Sequence, residues 1–183
     1  NRFDHLSATL QALALNDLAA QTPVILFLDG PRNESDQESQ KKIIAYVESD
    51  IKNKFESFKL VPSEKNKGLA QSIITGVTQI VNEFGRVIVL EDDLVTSKYF
   101  LRYMNDALDL YEKDDQVISI HGYVNVLKNT VKEPFFLKGA DCWGWATWKR
   151  GWQLFEPNGA KLLNEIKEKK LTREFDFENT MHE

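Results

Sequence analysis

The sequence predicts an α/β, Rossmann-like fold with a mostly parallel central sheet flanked by helices. Two features carry this. Short, wholly apolar runs alternate with amphipathic helical stretches through the first two thirds of the chain, and the clearest runs end on acidic residues or Asp-Gly-Pro. Strands that are apolar on both sides belong to a sheet covered on both faces. With 183 residues, 42% of them hydrophobic, the chain is the size of one domain, 1–183, with enough material for a core free of disulfides.

Residues 4–18 place Leu6, Leu10, Leu13 and Ala14 at helical spacing, with Asp4 available to cap the first turn. The chain thus opens on a turn into a helix, as if its first strand were missing. Residues 22–29 read as a buried strand stopped by Asp29-Gly30-Pro31. Residues 37–54 form a second helix, with Ile43, Ile44, Val47 and Ile51 on one face, and 58–61 a short strand. Asn66-Lys67-Gly68 opens a helix whose apolar positions run from Leu69 to Phe84, with Gly85 as its stop. Residues 86–90 are the clearest strand and lead into Glu91-Asp92-Asp93. Thr96 or Ser97 can cap the next helix, which carries Phe100, Met104, Ala107, Leu108 and Tyr111 on one side. Residues 116–120 and 135–137 read as further strands. Trp143, Trp145, Trp148 and Trp152 then crowd into ten residues, 158–170 read as an exposed helix rich in Lys and Glu, and 171–183 have too little pattern to assign.

Composition narrows the function. Lys and Arg number 23 against 28 Asp and Glu, a net charge of −5, and the basic residues are scattered, which disfavours a nucleic-acid backbone binder. A single cysteine, Cys142, excludes an internal disulfide framework and a Cys-rich zinc site. The longest apolar runs fall far short of the roughly 20 residues of a membrane span. His5, His121 and His182 lie far apart without ligand spacing.

Glu91, Asp92 and Asp93 lie beyond the carboxyl end of a strand, where open α/β sheets bind ligands. Three adjacent carboxylates repel one another, and a divalent cation is the economical compensation. Mg²⁺ or Mn²⁺ is commonly held by one or two carboxylates, with substrate phosphate oxygens completing the shell, so the implied substrate carries a diphosphate. A solvated acidic turn capping the following helix is the plain alternative, but Thr96 and Ser97 fill that role better. Asp29 ends the earlier strand and faces the same crevice if the two strands are adjacent; an Asx turn explains it equally well. Asn66 and Lys67 stand at a helix amino end, which favours an anion, although an Asn cap with an incidental lysine is the simpler reading. The tryptophans suit a carbohydrate, with about half of them expected to be core.

The order strand, Glu91-Asp92-Asp93-Leu94, helix, Gly144-Trp145 resembles nucleotide-sugar glycosyltransferases of the GT-A fold, most closely the N-acetylglucosaminyltransferase I family. Asn1-Arg2 is similar to that family's Asn-Arg after its first strand, and Asn66-x-Gly68 to a segment of the bacterial inverting family 2-type glycosyltransferases. The likeness covers about residues 1–155 and implies a GT-A domain lacking its first strand and truncated at both ends. It implies that Asp93 coordinates Mn²⁺ or Mg²⁺, that Glu91 and Asp92 bond the donor's ribose and sugar hydroxyls, and that Asp29 reads uracil. Arg2 would lie by the nucleotide, and Trp145 and its neighbours would shape the sugar and acceptor side. The partners implied are a UDP-sugar, carrying GlcNAc or another hexose, and a glycan or lipid-linked acceptor, with no nucleic acid. The reaction implied is displacement at the anomeric carbon with inversion. Asp141 and Asp176 are available as bases by composition, but neither is assigned. The family's base-stacking histidine has no match at 64–66. A cytoplasmic protein of polysaccharide assembly, peripheral to the inner face of the membrane at most, is the expected setting.

Three other functions are weighed. A haloacid-dehalogenase-type phosphatase needs a second aspartate two positions after Asp29, where Pro31 stands. A sugar-nucleotide nucleotidyltransferase usually has a glycine-rich basic loop that Arg2-Phe3-Asp4-His5 does not supply. A non-catalytic carbohydrate-binding module would keep the tryptophans without the chemistry.

Overall fold

The computed structural model describes residues 2–124 and 133–176 and has the mixed α/β architecture that the alternation predicts. Helix α1 (Phe3–Ala14) buries Leu6, Thr9, Leu10 and Leu13 along one stripe. Its amino end is Arg2, with no side-chain cap, so Asp4 lies inside the first turn and does not cap it. The helix stops short of the expected residue 18 because the Asp17 amide donates to the Lys98 carbonyl, 3.1 Å away, and cannot continue the helical ladder.

Strand β1 (Pro23–Leu28) and strand β2 (Ser57–Pro62) pair in parallel, Val24 opposite Phe58 and Leu28 opposite Pro62. Between them runs α2 (Glu34–Tyr46), followed by a π-helical turn (Val47–Ile51) and a 3₁₀ turn (Lys52–Lys54). This helix begins three residues before the expected position 37, because the Asn33 side chain accepts the Asp36 amide as an N-cap. Helix α3 (Leu69–Phe84) ends as predicted at Gly85, whose φ of +80° is the left-handed conformation that glycine tolerates.

Strand β3 (Arg86–Val89), helix α4 (Phe100–Leu110), strand β4 (Ser119–His121), strand β5 (Trp145–Trp148) and the short helix α5 (Lys149–Trp152) follow. The second sheet has the order β3-β5-β4, with β5 antiparallel to both neighbours. This corrects the expectation of a mostly parallel sheet. Of the pairings among the described residues, only β1 with β2 is parallel; β3 and β4 run the same way, but β5 enters between them from their carboxyl ends. Two more expectations fail. Residues 135–137 form no strand and lie exposed, with the Phe136 ring edge-on to Tyr111. Neither Thr96 nor Ser97 caps α4: its first turn starts from Tyr99 without a side-chain cap of its own, and Asn16 supplies the acceptor.

One core contains Leu6, Leu10 and Leu13 of α1, Ile43 of α2 and Met104 and Leu108 of α4, packed with Val24, Leu26, Leu28, Ile88, Ile120, Ala146 and Trp148. On the other face, Val77 and Val81 of α3 pack with Val87, Val89, Trp145 and Trp152, and Phe27 of β1 meets Gly76 of α3. Residues Gln153–Glu183 make a separate unit, in which α6 (Gly159–Glu168) is capped by Asn158 and followed by α7 (Thr172–Phe175). The expected exposed helix over 158–170 is therefore present, while 177–183 of the unassigned tail lie outside the described residues. Among the described residues, no helix is long and apolar enough to cross a membrane.

Candidate functional site

Strand β3 delivers Glu91, Asp92 and Asp93 to its carboxyl end, and α1 holds them there. Buried Thr9 donates its hydroxyl to the Asp92 carbonyl at 3.0 Å. The Arg2 guanidinium bonds both carboxylates: Nε to Asp92 Oδ2 at 3.2 Å, Nη2 to Asp92 Oδ1, and Nη2 to Asp93 Oδ2 at 3.1 Å. Asp92 and Asp93 thus converge on one cationic group. Glu91 is only partly exposed, and burial, then the charges of Asp93 and Asp92, push its carboxyl above the ordinary glutamate value, with Arg2 opposing. The Arg2 guanidinium is correspondingly held more firmly protonated, chiefly by its bond to Asp92.

Three carboxylates against one guanidinium leave an excess of negative charge. No group of three or more His, Cys, Asp or Glu among the described residues is arranged to hold a metal. The donor set fits an ion that takes a single protein carboxylate, that of Asp93, and draws its remaining oxygens from water or substrate, the habit of Mg²⁺.

The structure joins Asp29, Asn66 and Lys67 in one motif, though not in the form expected of a free anion site. Asp29 Oδ1 accepts the Gly30 and Lys67 amides, each at 2.9 Å, and Oδ2 accepts the Gly68 amide at 3.0 Å. The anion at the amino end of α3 is therefore the chain's own aspartate. Burial disfavours its charge, but the three amides outweigh it and hold the carboxyl below the usual aspartate value. Asn66 does not cap α3; its amide donates to the Gly30 carbonyl at 2.9 Å, and Gly68 occupies the cap position. A Cβ on Gly30 would lie 2.2 Å from the Lys65 carbonyl carbon, so this junction is closed around glycine.

The four tryptophans divide. Trp148 is buried, donates its indole N–H to the Leu108 carbonyl at 3.2 Å, and lies under the Arg150 guanidinium. Trp145 stacks on Trp152, ring centroids 5.9 Å apart, against the α3 face of the sheet, and Trp152 donates to Thr78 at 2.8 Å. Trp143 is 53% exposed and packs against exposed Tyr123, centroids 4.7 Å apart. Asp141 accepts the Trp143 amide at 2.7 Å, so it shapes this loop. Gly144 (φ +73°) lets the loop pass close to Leu90, next to Glu91, and its carbonyl accepts the Gly122 amide at 2.7 Å. This places the Trp143 loop beside the carboxylate turn.

The sequence points to Trp145 and its neighbours as the aromatic contact without separating Trp143 from Trp145, and it singles out neither Tyr123 nor Thr9. The strand register alone separates Trp145 from Trp143, and it depends on where β5 pairs. A polar concavity of about 340 Å³ opens next to Arg2, lined also by Phe3, Asp4, His5, Ser39 and Lys42. Comparison with protein-family models, curated proteins and solved structures finds no match to this chain.

Proposed function

We propose that the chain forms the donor-binding domain of a metal-dependent, inverting nucleotide-sugar glycosyltransferase with a GT-A-type site. The observation that carries this reading is the convergence of Asp92 and Asp93 on the Arg2 guanidinium at the carboxyl end of β3, with Glu91 beside them. Asp93 is the metal ligand, and Glu91 and Asp92 face the ribose and sugar hydroxyls. Asp93 would hold a Mn²⁺ or Mg²⁺, which when bound would supply positive charge to the departing diphosphate. Arg2, once its carboxylate partners are taken up, turns its guanidinium to the same phosphates, a geometry its planar fork suits. Asp29 serves uridine through the loop it organises, because its oxygens already accept three backbone amides. The Trp143–Tyr123 pair offers an exposed aromatic face to a sugar ring. The general base is left unassigned.

Calorimetric titration of UDP in Mn²⁺, in chelator, and with Asp93→Ala tests this. Binding that needs Mn²⁺ and is lost in a folded Asp93→Ala variant is the expected result. UDP binding indifferent to both metal and Asp93 would sink it, and metal-independent glycan binding without UDP binding would favour the carbohydrate-binding module.

A further inference from the structure

The carboxylate turn already carries a cation of the chain's own. The Arg2 guanidinium bonds Asp92 through Nε and Nη2, and its Nη2 lies 3.1 Å from Oδ2 of Asp93, the carboxylate proposed to hold a metal. The backbone is fixed on both sides of this contact. The Arg2 carbonyl accepts the Leu6 amide at 3.0 Å in the first turn of α1, and the Asp92 carbonyl accepts the Thr9 hydroxyl at 3.0 Å. Separation of the partners therefore falls to the side chains, which have the freedom for it: Arg2 is 51% exposed, Asp92 30% and Asp93 40%.

An ion pair this exposed is worth a preference of about fivefold, because solvent screens it. That is enough to keep the guanidinium on the carboxylates at rest, and little enough for a better partner to displace it. A diphosphate is such a partner, since it accepts the same charge-assisted, paired N–H bonds as a carboxylate and carries more negative charge. Room for the movement lies beside Arg2, in the concavity that Phe3, Asp4, His5, Ser39 and Lys42 also line. Lys42 repels a guanidinium there and Asp4 attracts it, so the lining gives little net pull away from Asp92 and Asp93. An incoming anion supplies that pull. Asp93, for its part, serves two cations poorly: a divalent ion on its carboxylate and a guanidinium 3.1 Å from its Oδ2 repel each other.

We propose that Arg2 is the internal counter-cation of the carboxylate turn: it holds Asp93 in the free protein and is drawn off by the diphosphate of the nucleotide, so that metal and nucleotide favour each other's binding through this one side chain. The inference rests on the donor site proposed above and makes Arg2 a positioning residue that acts on the metal through Asp93. The coupling is reciprocal, so whatever the nucleotide adds to metal affinity the metal adds to nucleotide affinity. Direct bonds between metal and diphosphate oxygens couple the two as well; the part carried by Arg2 is the part that its substitution removes.

Mn²⁺ titrations followed by electron paramagnetic resonance, with and without saturating UDP and corrected for Mn²⁺ held by free UDP, test this on the full polypeptide and its Arg2→Gln variant. Circular dichroism checks the fold of the variant, whose substituted side chain is exposed. Without UDP, the variant should bind Mn²⁺ about fivefold more tightly, the preference that the lost ion pair represented. With UDP bound, the two proteins should differ by less than about twofold, so the enhancement of Mn²⁺ binding by UDP shrinks in the variant. An equal gain in both states overturns the proposal, because Arg2 is then a fixed neighbouring charge that never leaves. An unchanged Mn²⁺ affinity without UDP also overturns it, and either result leaves the metal-dependent donor site standing. If UDP does not raise the Mn²⁺ affinity of the parent at all, the donor site itself falls and the inference with it.

Discussion

Asp29, which the sequence offers equally as a ligand contact and as a turn former, commits both carboxylate oxygens to the backbone in the fold. Its carboxylate holds three amides at the junction of β1, Gly30 and α3. Because its folded-state pKa lies below the unfolded value, the stabilisation is fully present above the unfolded pKa and disappears as pH falls through the folded one. Asp29→Asn keeps one acceptor oxygen and loses the charge, so it should cost about 1–2 kcal/mol near neutrality. Urea denaturation of both proteins from about pH 7 to about pH 3 should show that gap narrowing on acidification. A gap that stays constant would mean that shape, not charge, holds the junction. The Asx turn read from the sequence does not form, because Pro31 has no N–H to donate and the local bond comes from the adjacent Gly30 amide; the amides of Lys67 and Gly68 come from residues that only the pairing of β1 with β2 brings near.

Among the elements, those with an internal signal were readable and those defined by distant partners were not. The apolar runs of β1 and β3, the 3.6-residue period of α3 and the glycine that ends it all appear in the sequence close to where they lie in the fold. The start of α4 does not, because its cap comes from Asn16, in the turn that follows α1. Asn16 is buried at 6% exposure; its Oδ1 accepts the Leu101 amide at 2.9 Å, and its Nδ2 donates to Ala12 and Thr96. Asn16→Ala removes a cap and leaves a buried N–H without its acceptor, at a cost of about 2–3 kcal/mol. Thr96→Val, which deletes only the contact to the Asn16 side-chain amide, should cost less than half as much in the same denaturation experiment. Equal losses would show that the Asn16–Thr96 bond, not the cap, joins α1 to α4. The same reasoning explains residues 135–137: three apolar residues in a row imitate a strand, but no strand among the described residues pairs with them.

At the scale of the whole molecule, β5 links core and site, and its antiparallel path decides which aromatic residue serves which. Lying between β3 and β4, it turns Ala146 and Trp148 toward the α1–α4 core and Trp145 toward α3, and it leaves Trp143 beyond the sheet, in solvent beside Tyr123. The sequence-based choice of Trp145 as the acceptor-side residue treated the cluster as one patch, since four indoles within ten residues carry no sign of direction until the register is known. The two substitutions should therefore separate. Trp145→Ala opens a partly buried space against Val89 and Trp152 and should destabilise the fold by about 2–3 kcal/mol, below the range for a fully buried tryptophan. Trp143→Ala should leave stability within about 0.5 kcal/mol of the parent. If the Trp143–Tyr123 pair is the sugar-facing surface, only Trp143→Ala should weaken glycan binding, measured by titration at a temperature where both variants are folded, with UDP affinity unchanged. Should Trp145→Ala instead remain as stable as the parent and lose the glycan, the indole that stacks on Trp152 would be the one that meets the ligand, and the carboxylate turn would be read from the α3 side of the sheet.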